Sequence, residues 1–175
     1  METKTLKHTT ELSYSASKPL FKKLLVALDG SESSQRAAQA AVELADKLKT
    51  DLIVLHAITP PTSYYHSTIA SPTGMSLPPP SQHEIDAYYA YARKAAMGIV
   101  GETESKAKKQ GIHVKTEIPE AVSSVVETII NHATKENVDL IIVGTRGLGG
   151  FKKMLLGSVS SGIVSHAHCP VLVVI

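Results

Sequence analysis

The stretch LIIVGTRGLGGFKKMLLGSVSSGIVS, residues 140–165, contains the features that decide the fold. It opens with the apolar run 140–143 and continues into a span with glycines at positions 144, 147, 149, 150 and 157, five of the eleven in the chain. After Gly157 comes a hydroxyl-rich segment that begins at Ser158 and fits the first turns of a helix. An apolar run, a glycine span and a helix in this order predict a strand-to-helix connection in an α/β protein.

The rest of the chain repeats this alternation of apolar runs and helix-period segments. Helical spacing places Ala37, Ala38, Ala41, Val42, Ala45 and Leu48 on one face, and later Val122, Val125, Val126, Ile129, Ile130 and Ala133. Ser81 and Glu84 fit a capping box that starts another helix. The predicted strands are 24–28, 52–58, 112–118, 138–143 and 171–175, and the predicted helices are 31–49, 82–110, the stripe at 122–133 and 158–167.

This order, βαβαβαβαβ, predicts a single-domain, Rossmann-like open sheet of five parallel strands with helices on both faces. Strands that are apolar on both sides are typical of covered parallel sheets, and the polar alternation of 112–118 favours a position near an edge. The domain is expected over residues 21–175, after a polar N-terminal arm at 1–20. Residues 59–82, with six prolines, form a long loop that is either a disordered insertion or a lid or partner contact.

Composition excludes several classes of protein. The 175 residues are 43% hydrophobic and carry a formal net charge of +2 with no basic stripe, so no nucleic-acid partner is expected. The single cysteine cannot form an internal disulfide, and no apolar run is long enough to span a membrane. The N-terminus lacks the apolar centre of a secretory signal, so the expected location is cytoplasmic.

The glycine span has a physical reading as a phosphate site. It leaves the carboxyl end of a predicted parallel strand, which is the rim where such sheets bind ligands. Glycine allows close approach of the backbone, and a helix N-terminus offers unpaired N–H groups with a positive dipole end. Ser158 and Ser160 can add hydroxyl donors, and Arg146 adds positive charge nearby. The alternative is a turn that only needs positive φ angles.

Two common phosphate loops are absent, because no window fits G-x-x-x-x-G-K-[ST] or G-x-G-x-x-G. The spacing present is Gly144, two residues, Gly147, nine residues, Gly157 and Ser158. It resembles the motif of the ATP-binding members of the universal stress protein family. The runs VALDGS at 26–31, VLHA at 54–57 and SHAHCPVLVV at 165–174 are also similar to that family, although many members have valine at the position of Ala57.

The resemblance implies a nucleotide-dependent regulatory switch that binds ATP, with or without Mg²⁺, and hydrolyses it slowly or not at all. It also implies a homodimer formed through the last strand, 171–175, and a protein partner that the sequence does not identify. The nucleotide would contact three groups of residues: Ala27, Leu28 and Asp29 on the nucleoside side, Ala57 and Val143 against adenine, and Gly144, Arg146, Gly147, Gly157, Ser158, Val159 and Ser160 around the ribose and phosphates.

Other readings stay open at this point. Asp29 is either a nucleotide contact or the cap of the following turn, and Arg146 is either a ligand contact or an exposed charge. The histidines lack metal-ligand spacing, so we expect structural roles for them and assign neither a metal site nor a catalytic residue. The alternative functions are an interaction module of the same fold without nucleotide and, less favoured, an ATP-pyrophosphatase-type adenylating enzyme. Residues 29–34 only faintly resemble the Ser-Gly-Gly-x-Asp-Ser loop of those enzymes.

Overall fold

A computed structural model describes residues 20–61, 79–145 and 156–175. Strands and helices alternate along these ranges, as the apolar runs predict. Their bounds are β1 (Lys23–Ala27), α1 (Glu32–Leu48), β2 (Asp51–Leu55), α2 (Gln82–Lys109), β3 (Val114–Glu117), α3 (Val125–Lys135), β4 (Leu140–Gly144), α4 (Ser158–His166) and β5 (Val171–Val174).

The five strands form one parallel sheet in the order β3-β2-β1-β4-β5. The predicted fold class is confirmed, and β3 lies at an edge as its polar alternation indicated. The chain builds the sheet outward from β1 in one direction and then, from β4, in the other. This reversal places β1 and β4 side by side at the centre, although more than 100 residues separate them in sequence.

Side chains of alternate residues in the central strands pack into two separate hydrophobic cores, one on each face of the sheet. Leu24 and Val26 of β1 pack with residues of α1 and α2, whereas Leu25 packs with residues of α3 and α4. Side chains in the three central strands are nearly all buried, because helices cover both faces. The domain therefore has three layers, with α1 and α2 on one side of the sheet and α3 and α4 on the other.

Three of the four helices in the described ranges begin with a serine that caps its own helix. The hydroxyls of Ser31, Ser81 and Ser124 each accept a hydrogen bond from the backbone N–H three residues later. The capping box predicted at Ser81 and Glu84 is present. The fourth helix, α4, begins after Gly157, and no side chain among the described residues caps it.

Some details of the predicted elements are wrong. Val122 is 88% exposed, because α3 begins at Val125 and Val122 precedes the helix, so helical spacing does not apply to it. Leu48 is 42% exposed, since it is the last residue of α1 and the chain turns at Lys49, where φ is 54°. The strands are also shorter than the apolar runs, and Ile58 makes only an isolated bridge to Glu120.

Parts of the predicted organisation lie outside the described residues. These parts are the arm at 1–20 apart from Leu20, the central part of the 59–82 loop, and residues 146–155 of the glycine span. Among the helices that the structure describes, none combines the length and apolar character needed to cross a membrane.

Candidate functional site

The reversal of strand order lies between β1 and β4, at the carboxyl end of both strands. There Ala27, the last residue of β1, is the register partner of Val143 in β4. The two helices that follow these strands, α1 and α4, both begin at this end of the sheet. Open α/β sheets bind ligands at such a point, and we refer to the space between the ends of β1 and β4 as the crevice.

The residues predicted to lie against adenine share one face of the sheet. Ala27 and Ala57 are half-buried and pack against the core formed with α3 and α4, and Val143 belongs to that core with 3% exposure. Leu28 does not join them, because its side chain is buried in the opposite core with α1 and α2. The prediction that Leu28 lies on the nucleoside side therefore concerns its main chain, and it stays a prediction.

The main chain of Leu28 is hydrogen-bonded to the carboxyl end of β2 and to the residue that follows it. Its N–H donates to Leu55 O at 2.8 Å, and its carbonyl oxygen lies 2.8 Å from His56 Nδ1. Because a carbonyl can only accept, Nδ1 of His56 carries the proton of this bond. The histidine thereby fixes the exit of β1 to the exit of β2, next to the crevice.

The turn from β1 into α1 is closed by its own side chains. Asp29 Oδ1 accepts the N–H of Ser31 at 3.0 Å, which is the capping role left open for this residue. Gly30 has a φ of 83°, a conformation that favours glycine. Ser31 Oγ in turn accepts the N–H of Ser34 at 3.2 Å. One carboxylate oxygen of Asp29 is therefore committed to the turn.

Gly144 ends β4 between the first turns of both helices. A Cβ atom at this position would lie 2.6 Å from the backbone carbon and the hydroxyl oxygen of Ser33 in α1. On its other side, the carbonyl oxygen of Gly144 accepts the hydroxyl proton of Ser160 in α4 at 2.6 Å. The first glycine of the motif is therefore required by the close packing of α1 on β4, independently of any ligand.

Two predicted phosphate donors are already used within the protein. Ser160 is buried with 5% exposure, and its single hydroxyl proton goes to Gly144. The N–H of Gly157 donates to Thr145 O at 2.7 Å. In this structure the Ser160 hydroxyl and the Gly157 N–H both have acceptors within the protein, and the contacts of Gly157 and Ser160 with a phosphate stay predictions.

The remaining donors belong to the first turn of α4. The first intrahelical bond runs from the N–H of Ser161 to Gly157 O, at 2.9 Å. The N–H groups of Ser158, Val159 and Ser160 therefore have no intrahelical partner, as in the first turn of any α-helix. Ser158 is exposed and its hydroxyl lies at the same helix end. These groups form a compact set of donors beside the crevice.

Arg146 and Gly147, which complete the predicted site, lie outside the described residues. The two ends of their connection are described and lie together. Thr145 donates its N–H to Val174 O in β5 at 2.9 Å and accepts from Gly157, so the chain leaves β4 and enters α4 at nearly the same place.

A second cluster of polar groups lies where α3 packs against the edge strand β3. One ligand-type atom from each of Glu117, His132 and Glu136 lies within 4.8 Å of the others. Lys115 Nζ lies between the carboxylates, 2.7 Å from Glu117 Oε1 and 3.0 Å from Glu136 Oε1. Hydrogen bonding to Glu117 and then to Glu136 raises the pKa of Lys115, and the bond from Lys115 lowers the pKa of Glu136. The cluster is an ion-pair network whose central cation is a lysine.

Most histidines singled out in the sequence have structural partners, as expected. His166 Nδ1 bonds to Gly162 O at 2.8 Å within α4, and His168 Nδ1 lies 3.1 Å from Thr134 Oγ1. His132 departs from this pattern, because its buried Nε2 has no hydrogen-bond partner among the described residues. Sequence spacing did not reveal this histidine, because β3 and α3 bring its neighbours together only on folding.

Comparison with known proteins identifies the family. The model of the universal stress protein family matches residues 20–174. The chain belongs to this family. It is 37% identical over 155 residues to the universal stress protein YxiE of Bacillus subtilis, a match that covers 89% of this chain and 99% of that protein.

Solved structures of this universal stress protein fold agree with the architecture. The universal stress protein UspA of Lactobacillus plantarum superposes with a TM-score of 0.66 at 27% identity, covering 89% of this chain and 98% of that one. A universal stress protein in complex with cAMP has a TM-score of 0.57 at 24% identity, over 88% and 96% of the two chains. An Arabidopsis thaliana family member with AMP bound has a TM-score of 0.56 at 21% identity, over 87% and 90%.

Sequence reasoning missed Ser33 and His56 as residues that shape the crevice. Ser33 lies one residue after the start of α1 and sets the space around Gly144. His56 was expected to have a structural role, but its partner, the carbonyl of Leu28, could not be known before β1 and β2 were placed side by side. A histidine directly after an apolar strand was the available signal.

Proposed function

We propose that this universal stress protein binds an adenine nucleotide, ATP in the first place, in the crevice between β1 and β4. Family members of the same fold have been solved with cAMP and with AMP, which supports an adenine nucleotide as the ligand class. The Gly144-Gly147-Gly157-Ser158 spacing supports ATP within that class. Arg146 and Gly147 are assigned to the ribose and phosphates on that motif alone.

The observation that carries the proposal is the open N-terminus of α4. The N–H groups of Ser158, Val159 and Ser160 have no intrahelical partner and lie beside the point where the strand order reverses, and no side chain among the described residues caps them. Backbone N–H groups at the positive end of a helix dipole are a common arrangement for phosphate binding. The exposed hydroxyl of Ser158 adds one more donor.

The apolar side of the crevice suits a planar base. Ala27 and Ala57 are half-buried and carry only a methyl group each, so they leave room above the core of Val143. In the proposed complex, adenine lies against these two alanines and the sugar faces the main chain of Leu28 and Asp29. His56 holds that main chain in place through its bond to Leu28 O.

The same geometry supports a switch in preference to a hydrolase. Hydrolysis of a phosphoanhydride needs a positioned water and usually a base. The carboxylate of Asp29, at the exit of β1, uses Oδ1 to hold the turn into α1. We therefore propose that the protein hydrolyses ATP slowly or not at all, and we assign no catalytic residue. Mg²⁺, when present, would be bound by the phosphates of the nucleotide. The protein partner of the switch and a cytoplasmic location stay predictions.

The direct test is to denature the purified protein with heat and separate the released small molecules by ion-pair chromatography. ATP, AMP or a mixture near one per chain is expected, and titration of the emptied protein with Mg-ATP should then release or absorb heat. An empty protein that also gives no heat on titration would overturn the proposal and favour the interaction module. Pyrophosphate released in the presence of a substrate would favour the adenylating enzyme.

Gly157→Val is the variant that tests the placement of the site. The φ of Gly157 is −70°, which valine can adopt, so the fold should persist while the new side chain blocks the phosphate path. We expect loss of measurable ATP binding at unchanged secondary structure by circular dichroism. Gly101→Val is the matched control, since a Cβ at Gly101 in α2 meets no atom within 4 Å. Equal affinity in both variants would contradict the placement.

We further propose that the protein forms a homodimer through β5. Among the described strands, β5 pairs with β4 alone, and Leu172 and Ile175 at this edge are 36% and 88% exposed. An exposed apolar edge strand invites pairing with another copy of itself. Val174 O accepts the N–H of Thr145, the residue after β4, so by strand alternation the N–H of Val173 faces the outer edge.

Val173→Pro tests this dimer, because proline removes the outward N–H and leaves the bonds to β4 in place. Light scattering behind size-exclusion chromatography should give twice 18.7 kDa for the wild type and 18.7 kDa for the variant. Thr116→Pro is the control on the opposite edge strand, where Glu117 O faces β2 and the N–H of Thr116 faces outward. A dimer that survives Val173→Pro but not Thr116→Pro would place the interface on β3.

A further inference from the structure

The carbonyl of Gly144 occupies a special place at the crevice. Because Thr145 donates its N–H to β5, strand alternation directs the N–H and C=O of Gly144 to the other side, toward β1. The ladder between β1 and β4 ends at the pair Ala27 and Val143, so no strand residue lies beside the Gly144 oxygen. This acceptor therefore lies just beyond the sheet, at the floor of the crevice.

Ser160 satisfies that acceptor from the first turn of α4. Its buried hydroxyl donates to Gly144 O at 2.6 Å, while the N–H of Gly157 donates to Thr145 O at 2.7 Å. Two consecutive carbonyls at the end of β4 thus hold the start of α4. The opposite side of Gly144 is packed on Ser33, so β4 cannot shift toward α1 to compensate for a lost bond.

We infer that Ser160 is a positioning residue for the phosphate site, an inference that rests on the proposed nucleotide function. Its hydroxyl stays on Gly144 O when the nucleotide binds and keeps the N–H groups of Ser158, Val159 and Ser160 aimed at the phosphates. The Ser160 hydroxyl does not itself donate to the ligand. A hydroxyl has one proton, and a phosphate oxygen can only accept, so Ser160 cannot serve both acceptors at once.

Affinity measurements on three variants test the role. Ser160→Ala should weaken Mg-ATP binding on the order of tenfold, because the donors lose their alignment, and Ser160→Thr should restore it by keeping the hydroxyl. Ser165→Ala is the matched control on the same helix, since Ser165 Oγ also donates to a carbonyl, that of Ser161, at 2.9 Å but away from the crevice. It should bind as the wild type does.

A urea titration of each variant first gives its unfolding midpoint, and affinities are then measured under conditions in which the variant is fully folded. A purely structural role for Ser160 would lower the unfolding midpoint and leave the affinity of the folded protein unchanged. That result, wild-type affinity in Ser160→Ala, would overturn the inference.

A spectroscopic readout separates positioning from direct contact. The sequence contains a Gly-Thr pair only at residues 144 and 145, so protein labelled with carbonyl-¹³C glycine and ¹⁵N threonine gives one HNCO peak, which reports the Gly144 carbonyl. The carbonyl shift in free Ser160→Ala marks the state without the bond. On adding Mg-ATP, the wild-type carbonyl should stay near its free value.

The outcomes are distinguishable from failure of the proposed function. Movement of the wild-type Gly144 carbonyl toward its shift in Ser160→Ala on adding ATP would show that the hydroxyl leaves for the phosphate, which overturns the inference alone. A wild-type protein that binds no adenine nucleotide overturns the proposed function and, with it, this inference.

Discussion

The two helices that begin at the crevice, α1 and α4, differ in how their N-termini are completed. In α1 the hydroxyl of Ser31 accepts the N–H of Ser34 at 3.2 Å, and the hydroxyl of Ser34 donates back to Ser31 O at 2.9 Å. In α4 the corresponding position is Gly157, which has no side chain to offer. One helix end therefore has a side-chain cap, and the other has none among the described residues.

This difference indicates that a helix N-terminus at the right place is not sufficient for a ligand site. Both ends have the same kind of dipole and both follow a central strand, but a described side chain caps the N–H of Ser34 in α1, whereas none caps the first turn of α4. Omitting the cap costs little, because glycine at an N-cap is only a few tenths of a kcal/mol less stable than serine. The opening at α4 is thus available at small cost in stability.

The largest effect is expected from Gly144→Ala, which would force α1 away from the end of β4. The new Cβ would lie 2.6 Å from the backbone of Ser33, and backbone cannot rotate away as a flexible side chain does. Overpacking of this kind costs about 1–3 kcal/mol, occasionally more, in the free energy of unfolding. Urea denaturation followed by circular dichroism measures it.

Gly101→Ala is the control for this substitution, since it lies within α2 where a Cβ meets no atom within 4 Å. It should be neutral or raise the free energy of unfolding by up to about 1 kcal/mol, as glycine-to-alanine changes do inside helices. If Gly144→Ala proved as stable as Gly101→Ala, then α1 would not be packed on the end of β4 in solution.

The sheet and its helices could be predicted from the sequence because they rest on local patterns. A run such as 140–143 is apolar on both faces, and such runs become central parallel strands covered by helices. The stripe that includes Ile129 and Ala133 has helical spacing, and both residues are buried. The glycine and serine spacing likewise indicated which connection borders the crevice. Each of these patterns can be recognised from residues that are close together in the sequence.

The contacts that shape the crevice could not be predicted, because they join distant parts of the chain. Position 144 requires glycine because Ser33, more than 100 residues earlier in the sequence, packs directly against it. Ser160 was expected to face a phosphate and instead bonds to Gly144, which depends on how α4 returns over the end of β4. Likewise His132 meets Glu117 only when α3 packs on β3. Each depends on tertiary distances that no spacing encodes.

The comparison of the two helix ends predicts opposite effects for two serine-to-alanine substitutions, one at each end. Ser31→Ala removes the cap of α1 and should lower the free energy of unfolding by about 1 kcal/mol. Its effect on ATP affinity should be smaller than that of Ser158→Ala, because Ser31 caps α1 and is not among the proposed phosphate donors. Urea denaturation and calorimetric titration of the same preparation measure both quantities.

Ser158→Ala should do the reverse. Ser158 is exposed at the open end of α4, so its loss should change the free energy of unfolding by less than about 0.5 kcal/mol. Because its hydroxyl would donate to a charged phosphate, ATP affinity should fall by about 1 kcal/mol or somewhat more, roughly five- to tenfold. If both variants lost stability and neither lost affinity, the two helix ends would be equivalent and α4 would not hold the phosphates.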